Sequence, residues 1–488
     1  MSWLDTAVPD RMKRVALVAA DEALRDVLVR VADSAAVEIG PAAGEATAPD
    51  VVGGLAGTPG EAARRLQGSG HPVSDAALSP SRPDLDELER AGRYDLLAGE
   101  AQLEAYAAAA FRRSGTSALA GWIPARRLAA LTASVSEVGG SVVPLPHPPA
   151  VEPPSLMAGR PLRRSVSTLV QTYGTVPYAD IAPIWLAWVG YVLMFGMMFG
   201  DVGEGIMLIA AAAALWAGWP GWTRRFRQAW PFVGGAGVAA TIFGLLYGEC
   251  FGPTGLVPTL WLNPEDHALT LLLVGAGIGA VMLAGAYAIG VVNRWREGGW
   301  PSALYAPSGV AGIMVFLGAG IMVGGWHFHR GPLLVLGMFL ALAGLALATV
   351  GFLAEAGGGA AGRLQASAEV FDLVVRLGSN VVSFTRLAAF GLTHAALGLL
   401  VWEGTSALWR RGGVFAVAAV ILFAAGTALA FGLEGLVAAI QALRLEYYEL
   451  FSRVFIGQGR SFRPWHVPTA VDVAASEASR ASIKEGCT

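Results

Sequence analysis

The sequence predicts an α-helical membrane protein, with about eight transmembrane helices and an N-terminal α+β domain. Three observations carry this expectation. Of 488 residues, 54% are hydrophobic and only 15% charged, where soluble domains carry about 25% charged residues; the mean hydropathy is +0.53. From residue 181 onward, apolar runs recur at the ~20-residue length a bilayer requires. Before residue 165 the chain is mixed and charged, and the Pro-rich segment PLPHPPAVEPP (144–154) separates the two compositions. The expected organisation is an α+β domain at 1–165, a membrane domain at 166–465 and a flexible tail at 466–488.

In the first domain, RVALVAA (14–20) has the β-branched and apolar character of a strand. Residues 21–34 have helical spacing, and AAVEIG is a second short strand. Residues 41–83 are rich in Gly, Pro and Ala and read as loop. Residues 83–113 read as a charged helical segment, and GWIPARRLAALTASVSEVGGSVVPLP as a turn, a helix and a strand. βαβ-like units are the plain expectation.

In the second domain the expected spans lie at about 181–200, 205–220, 230–251, 268–292, 306–326, 331–353, 368–409 and 413–452. The last two, at roughly 40 residues and 1.5 Å per residue, exceed a bilayer and must tilt or project. Arginines in the loops set the orientation. Arg163, Arg164, Arg224, Arg225, Arg227, Arg294, Arg296, Arg363, Arg453, Arg460 and Arg463 fall on one side of eight spans, and Arg330, Arg410 and Arg411 on the other. The richer side is the cytoplasmic one, so the N-terminal domain and the C-terminus are expected there.

Composition also excludes. The formal net charge of −3 gives no polyanion-binding signature. Cys250 and Cys487 form no framework or metal pattern. Lys13 and Lys484 are the only lysines, and neither has the context of a P-loop, so no Walker site hydrolyses ATP here. The opening MSWLDTAVPDRMKRVALV has early acids and no long apolar core, so no cleavable signal peptide is expected. No cofactor and no metal are expected; HFH (327–329) reads as a wet loop, and GGAGVAA (234–240) as close helix packing rather than a dinucleotide turn.

Three polar clusters interrupt the apolar half. MMFGDVGEG (197–205) places Asp201 and Glu204 at the end of the first span, and LLYGECFG (245–252) places Glu249 at the end of the third. They are interfacial loop acids or part of a site. The third cluster lies in the last two spans. Arg386 is deep in the seventh, where a charge costs about 2.5–3.5 kcal/mol on the mildest scale. On a regular helix Thr393 shares its face, and His394 and Ser383 flank it. The eighth span carries Glu434, Gln441 and Arg444 in a second polar stripe. Arg386 either fastens two helices by pairing with Glu434 or lines an ion pathway. Intramembrane ionisable residues favour the pathway, and buried ion pairs are weak fasteners. Asp372 and Arg376 read as a plain i,i+4 pair.

MFGDVGEG, YGECFG, SFTRLAAFGLTHAALG and LEGLVAAIQALRLEYYELFSRVFIGQGRSFRPW together resemble the membrane-embedded stator subunit of rotary V-type and A-type ATPases, called subunit a or, in prokaryotes, subunit I. The resemblance covers nearly the whole chain, closely after about residue 170 and loosely before it. It implies a non-catalytic subunit with two half-channels. These pass ions, the proton being the expected one, to and from the carboxyls of a rotating ring of proteolipid c subunits. Arg386 would be the fixed cation at the seam and Arg444 its support. Glu434, Gln441 and His394 would line one half-channel, with Ser383 and Thr393 nearby. Asp201, Glu204 and Glu249 would lie in the outer half-channel or its mouth. The implied partners are the ring, peripheral-stalk subunits, central-stalk and catalytic ATPase subunits, and the lipid membrane, with no nucleic acid. The family's long helical hairpin in the soluble arm has no counterpart in residues 41–113, so the arm is expected to be abbreviated. The low lysine content and compact length favour a bacterial cell membrane. An independent secondary ion transporter and a purely structural anchor are the competing readings. The choice of H⁺ or Na⁺ is not written in this chain.

Overall fold

The computed structural model describes residues 8–40, 60–71, 76–146, 151–157, 174–357, 359–455 and 459–469. The chain divides into two compact units, one of Asp10–Leu156 with Gly459–Thr488, the other of Met1–Pro9 with Met157–Gln458.

The first unit is a sheet with helices. Its elements are β1 (Met12–Ala20), α1 (Leu24–Ser34), β2 (Glu38–Ile39), α2 (Glu61–Ser69), α3 (Leu85–Arg90), α4 (Tyr94–Ala108), β3 (Phe111–Arg113), β4 (Thr116–Pro124), α5 (Leu128–Ser136) and β5 (Gly140–Pro144). The strand order is β2-β4-β1-β5, with β3 also paired to β4. Every pairing is antiparallel; β1 meets β4 from Met12 opposite Pro124 to Ala20 opposite Thr116. β1 and β2 therefore run the same way with β4 inserted between them, which splits the expected βαβ unit. Period-two alternation buries Val15, Leu17 and Ala19 on one face of β1. Leu24, Val27, Leu28 and Val31 of α1 recur at helical spacing and pack into the same core. Each such side chain contributes about 1.5–3 kcal/mol on full burial.

Three expectations change here. GWIP is the end of a nine-residue strand, β4, rather than a turn, and its Trp122 and Ile123 are buried. Residues 61–69, read as loop, are helical; residues 41–59 lie outside the described residues. Residues 459–469 belong to this unit rather than to the end of a membrane domain or a flexible tail. Trp465 and Val467 are buried in the sheet core. The Trp465 N–H donates to the Val37 carbonyl, and the Leu78 N–H to that of Pro468. The tail beyond 469, Arg163 and Arg164 lie outside the described residues.

The second unit is helical: α6 (Ile184–Met198), α7 (Val202–Ala217), α8 (Trp230–Tyr247), α9 (Ala268–Tyr305), α10 (Val310–His327), α11 (Gly331–Glu355), α12 (Gly359–Ser383), α13 (Thr385–Trp409) and α14 (Val414–Leu445). A π-helical turn, Glu446–Phe451, follows α14. Among the described residues, six helices are long and apolar enough to cross a membrane: Phe226–Tyr247, Ala268–Tyr305, Val310–His327, Gly331–Glu355, Gly359–Trp409 and Val414–Val454. The first two of the eight expected spans are shorter. α6 has 15 residues and α7 has 16, roughly 22–24 Å at 1.5 Å per residue, against a ~30 Å hydrocarbon core. GGAGVAA packs as expected: a Cβ on Gly237 would lie 2.9 Å from the Gly205 carbonyl oxygen of α7. The long seventh span is one helical stretch, Gly359–Trp409, with a local turn inside it. The turn lies at Phe384, between α12 and α13: its backbone stays helical (φ −75°, ψ −13°), its N–H donates to the Val381 carbonyl and its own carbonyl accepts from Leu387.

Candidate functional site

The corner between α6 and α7 is built on Asp201. Its Oδ1 accepts from the Glu204 N–H at 3.0 Å, capping α7. Its Oδ2 accepts from the Gly252 N–H, also at 3.0 Å. The Val202 N–H in turn donates to the Glu249 carbonyl at 3.0 Å. The corner and the loop after α8 are thus stitched together with their backbone groups satisfied, the condition for irregular backbone within an apolar unit. Gly252 has φ +86°, and a Cβ on it would lie 2.8 Å from the Gly398 carbonyl oxygen of α13. That contact seats the loop on the helix carrying His394.

His394 is 7% exposed. Its Nδ1 bonds Oε2 of Glu434 on α14, and its ring lies 4.9 Å from that of Phe199. Asp201, Glu204, Glu249, His394 and Glu434 line one small cavity of about 20 Å³, closed by Phe251, Val401 and Thr427 among others. Side chains from α7, α13, α14 and two connecting segments therefore meet at one point. Oε2 of Glu204 and Oε1 of Glu434 are buried without a hydrogen-bond partner. Away from water, four carboxyl groups around one imidazole are neutralised by the protons they hold or by a bound cation.

Arg386 is elsewhere. Its Nη2 lies 3.6 Å from Oε1 of Glu449, in the π-helical turn. It is not paired with Glu434, as a fastener between the last two spans would require. Asn380 of α12 fixes the other side of Glu449. Its amide nitrogen donates to Oε2 at 2.8 Å, while its oxygen accepts from Nη2 of Arg453 at 2.7 Å. The Arg453 guanidinium lies 5.7 Å from the Tyr287 ring centroid. Arg444 is exposed and near enough to act electrostatically on Arg386.

The remaining candidates stand apart from the cavity. Thr393 is exposed, and its hydroxyl donates to the carbonyls of Ala389 and Phe390 in its own helix. Ser383 ends α12, one residue before the turn at Phe384. Gln441 is not among the cavity-lining side chains, and its Oε1 is buried without a partner. Asp372 and Arg376 form the plain surface pair expected of them, at 2.6 Å. Sequence reasoning missed Glu449, Asn380 and Glu446, the last fully buried with both carboxyl oxygens unpartnered. Two acids within the apolar run RLEYYELF were the available signal.

This fold and this site define a polytopic helical membrane protein with a buried carboxylate–histidine cluster and a separate arginine–glutamate pair. The model of the V-type ATPase 116kDa subunit family matches residues 109–297. Subunit I of the A-type ATP synthase of Aeropyrum pernix is 25% identical over 469 residues, covering 84% of this chain and 66% of its own length. That of Pyrococcus horikoshii is 23% identical, covering 81% and 62%. That of Saccharolobus solfataricus is 39% identical over 101 residues, or 19% of this chain. The chain is thus similar to the V/A-type ATPase membrane subunit a/I, and it spans about two thirds or less of the length of these relatives.

Proposed function

We propose that this chain is the non-catalytic stator subunit of a rotary V/A-type ATPase membrane sector. It passes ions to and from the carboxyls of a rotating c-ring, with the soluble unit and the C-terminus cytoplasmic. The observation that supports this most is the separation of two polar groups. One is the buried cluster of Asp201, Glu204, Glu249, His394 and Glu434; the other is Arg386 with its own counter-charge.

Each group suits a different step. The cluster offers exchangeable protons or cation-binding oxygens in a small enclosed space, as one half-channel needs. A ring carboxyl can face lipid only when neutral. Opposite a cation within ~4–6 Å it becomes the better carboxylate, with its pKa lowered by about 1–3 units. A ring site passing Arg386 would give up its proton there and reload beyond it. Arginine suits the task because it keeps its charge where a buried lysine loses it.

The test is Arg386→Gln in the assembled complex, reconstituted in vesicles. ATP-driven ion pumping is expected to fall to background with the complex intact, and Arg386→Lys to retain at most a small residue. Pumping at the normal rate with glutamine would remove the fixed cation from the mechanism.

A further inference from the structure

Asp201, Glu249 and His394 have a property that ion passage does not require. One ligand-type atom from each lies within 4.8 Å of the others, and all three side chains are buried. The cavity they line is about 20 Å³, close to the room of one water molecule or one small ion. Glu204 is 3% exposed, lines the same cavity, and its Oε2 has no partner. It is an independent oxygen donor, desolvated and uncommitted.

The fifth residue completes the pattern. Glu434 engages Nδ1 of His394, which leaves Nε2 as the nitrogen able to coordinate. A carboxylate on the far nitrogen of a metal-binding histidine fixes its tautomer and strengthens it as a ligand. One imidazole and three carboxylates in a tight space suit a small ion of mixed N/O preference. Zinc takes such donors at about 2.0–2.2 Å in a tetrahedron, which sets donor atoms about 3.4 Å apart. Asp201 and His394 are held by their hydrogen bonds, so closing from 4.8 Å falls to the Glu249 and Glu204 side chains. Calcium wants six to eight oxygens, and magnesium retains several waters; neither fits so small a cavity.

We propose that Asp201, Glu249 and His394, with Glu204 as fourth donor, bind a divalent cation of the zinc class, and that the bound ion closes the cavity to passing ions. The binding stands on this geometry alone. The closure rests on the function proposed above.

The experiment separates the two. The purified full-length chain, stripped with chelator, is titrated with Co²⁺ and followed by visible absorption, with Zn²⁺ as competitor. One tetrahedral Co²⁺ per chain is expected, displaced by Zn²⁺. Glu204→Gln and Glu249→Gln should each weaken it at least tenfold. Glu204→Gln is the decisive variant, since the altered oxygen holds no bond in the fold. Absence of the tetrahedral spectrum, or undiminished binding in the double variant, overturns the site. Zn²⁺ is then added to vesicles pumping under ATP. Inhibition over the concentration range that displaces Co²⁺ supports closure. Unchanged pumping with the site filled overturns closure and leaves the site standing. Failure of the stator reading itself is read from Arg386→Gln, which does not touch the Co²⁺ spectrum.

Discussion

Arg386 and Glu449 face each other across 3.6 Å, and the second oxygen of Glu449 is held by Asn380. The arginine therefore has a partner fixed in place by a neighbouring helix. A loose, single-point pair of this kind balances the cation without saturating a guanidinium that has five N–H donors.

Glu449→Gln removes that balance while keeping the amide-sized side chain. Arg386 should then hold a passing carboxylate more tightly and release it more slowly. ATP-driven pumping is expected to slow about tenfold, the equivalent of ~1.4 kcal/mol, with assembly retained. Initial rates of vesicle acidification check this. A rate equal to the unmodified protein would make Glu449 a bystander.

Glu434→Gln keeps the shape of the His394 partner and removes its charge. Slower pumping with a normal yield of complex is the expected outcome. If the rate does not change, Glu434 has no part in the ion path.

Asp201 acts through both carboxylate oxygens, one on the α7 N-terminus and one on the loop after α8. Asp201→Ala should cost about 1 kcal/mol for the lost cap, and more for the unpaired Gly252 N–H. Asp201→Asn keeps one acceptor oxygen and should cost less. Thermal unfolding of the detergent-solubilised protein should rank the original above Asn and Asn above Ala. Equal melting temperatures would mean that the corner is held by other contacts.

Glu38 carries a pH-dependent contact. It accepts from the Arg463 N–H at 2.8 Å and pairs with Arg460 at 2.9 Å. Burial pushes its carboxyl above the ordinary value of 4.5, opposed by the Arg463 N–H and the charges of Arg460 and Arg463. A raised pKa means that the folded form holds the proton more tightly than the unfolded form. Its contribution is full below 4.5 and declines as pH rises through the raised value. Hydrogen exchange of residues 459–469 should therefore quicken across that window, and Glu38→Gln should remove the change. Identical pH profiles in the two proteins would assign the contact elsewhere.

The broad architecture was legible because apolar length is a one-dimensional property. Runs of about 20 apolar residues became helices, and the acids of MFGDVGEG and YGECFG came to one point. What was not legible depends on rotation and register. Glu434 and Arg386 sit on adjacent spans, but the azimuth of α14 on α13 delivers Glu434 to His394 instead. The tightened turn at Phe384 occurs with no Gly or Pro at its place. The π turn takes in more residues than an α turn, so spacing counted from Arg444 no longer locates Glu449. β4 was hidden because GWIP ends in proline, which a strand accepts at its end.

The segment around Trp465 has a consequence for biosynthesis. The sheet domain leaves the ribosome before the helical part that follows it, yet Trp465 and Val467 fill its core. Their strip also meets Val37 and Leu78 by main-chain bonds. Nearly the whole helical part must be translated before those residues exist. A nascent chain therefore presents an unfinished domain with an open apolar seam throughout membrane insertion. Closure of that seam marks a chain in which two segments far apart in sequence have found each other, and products that stop before Trp465 carry the open seam instead.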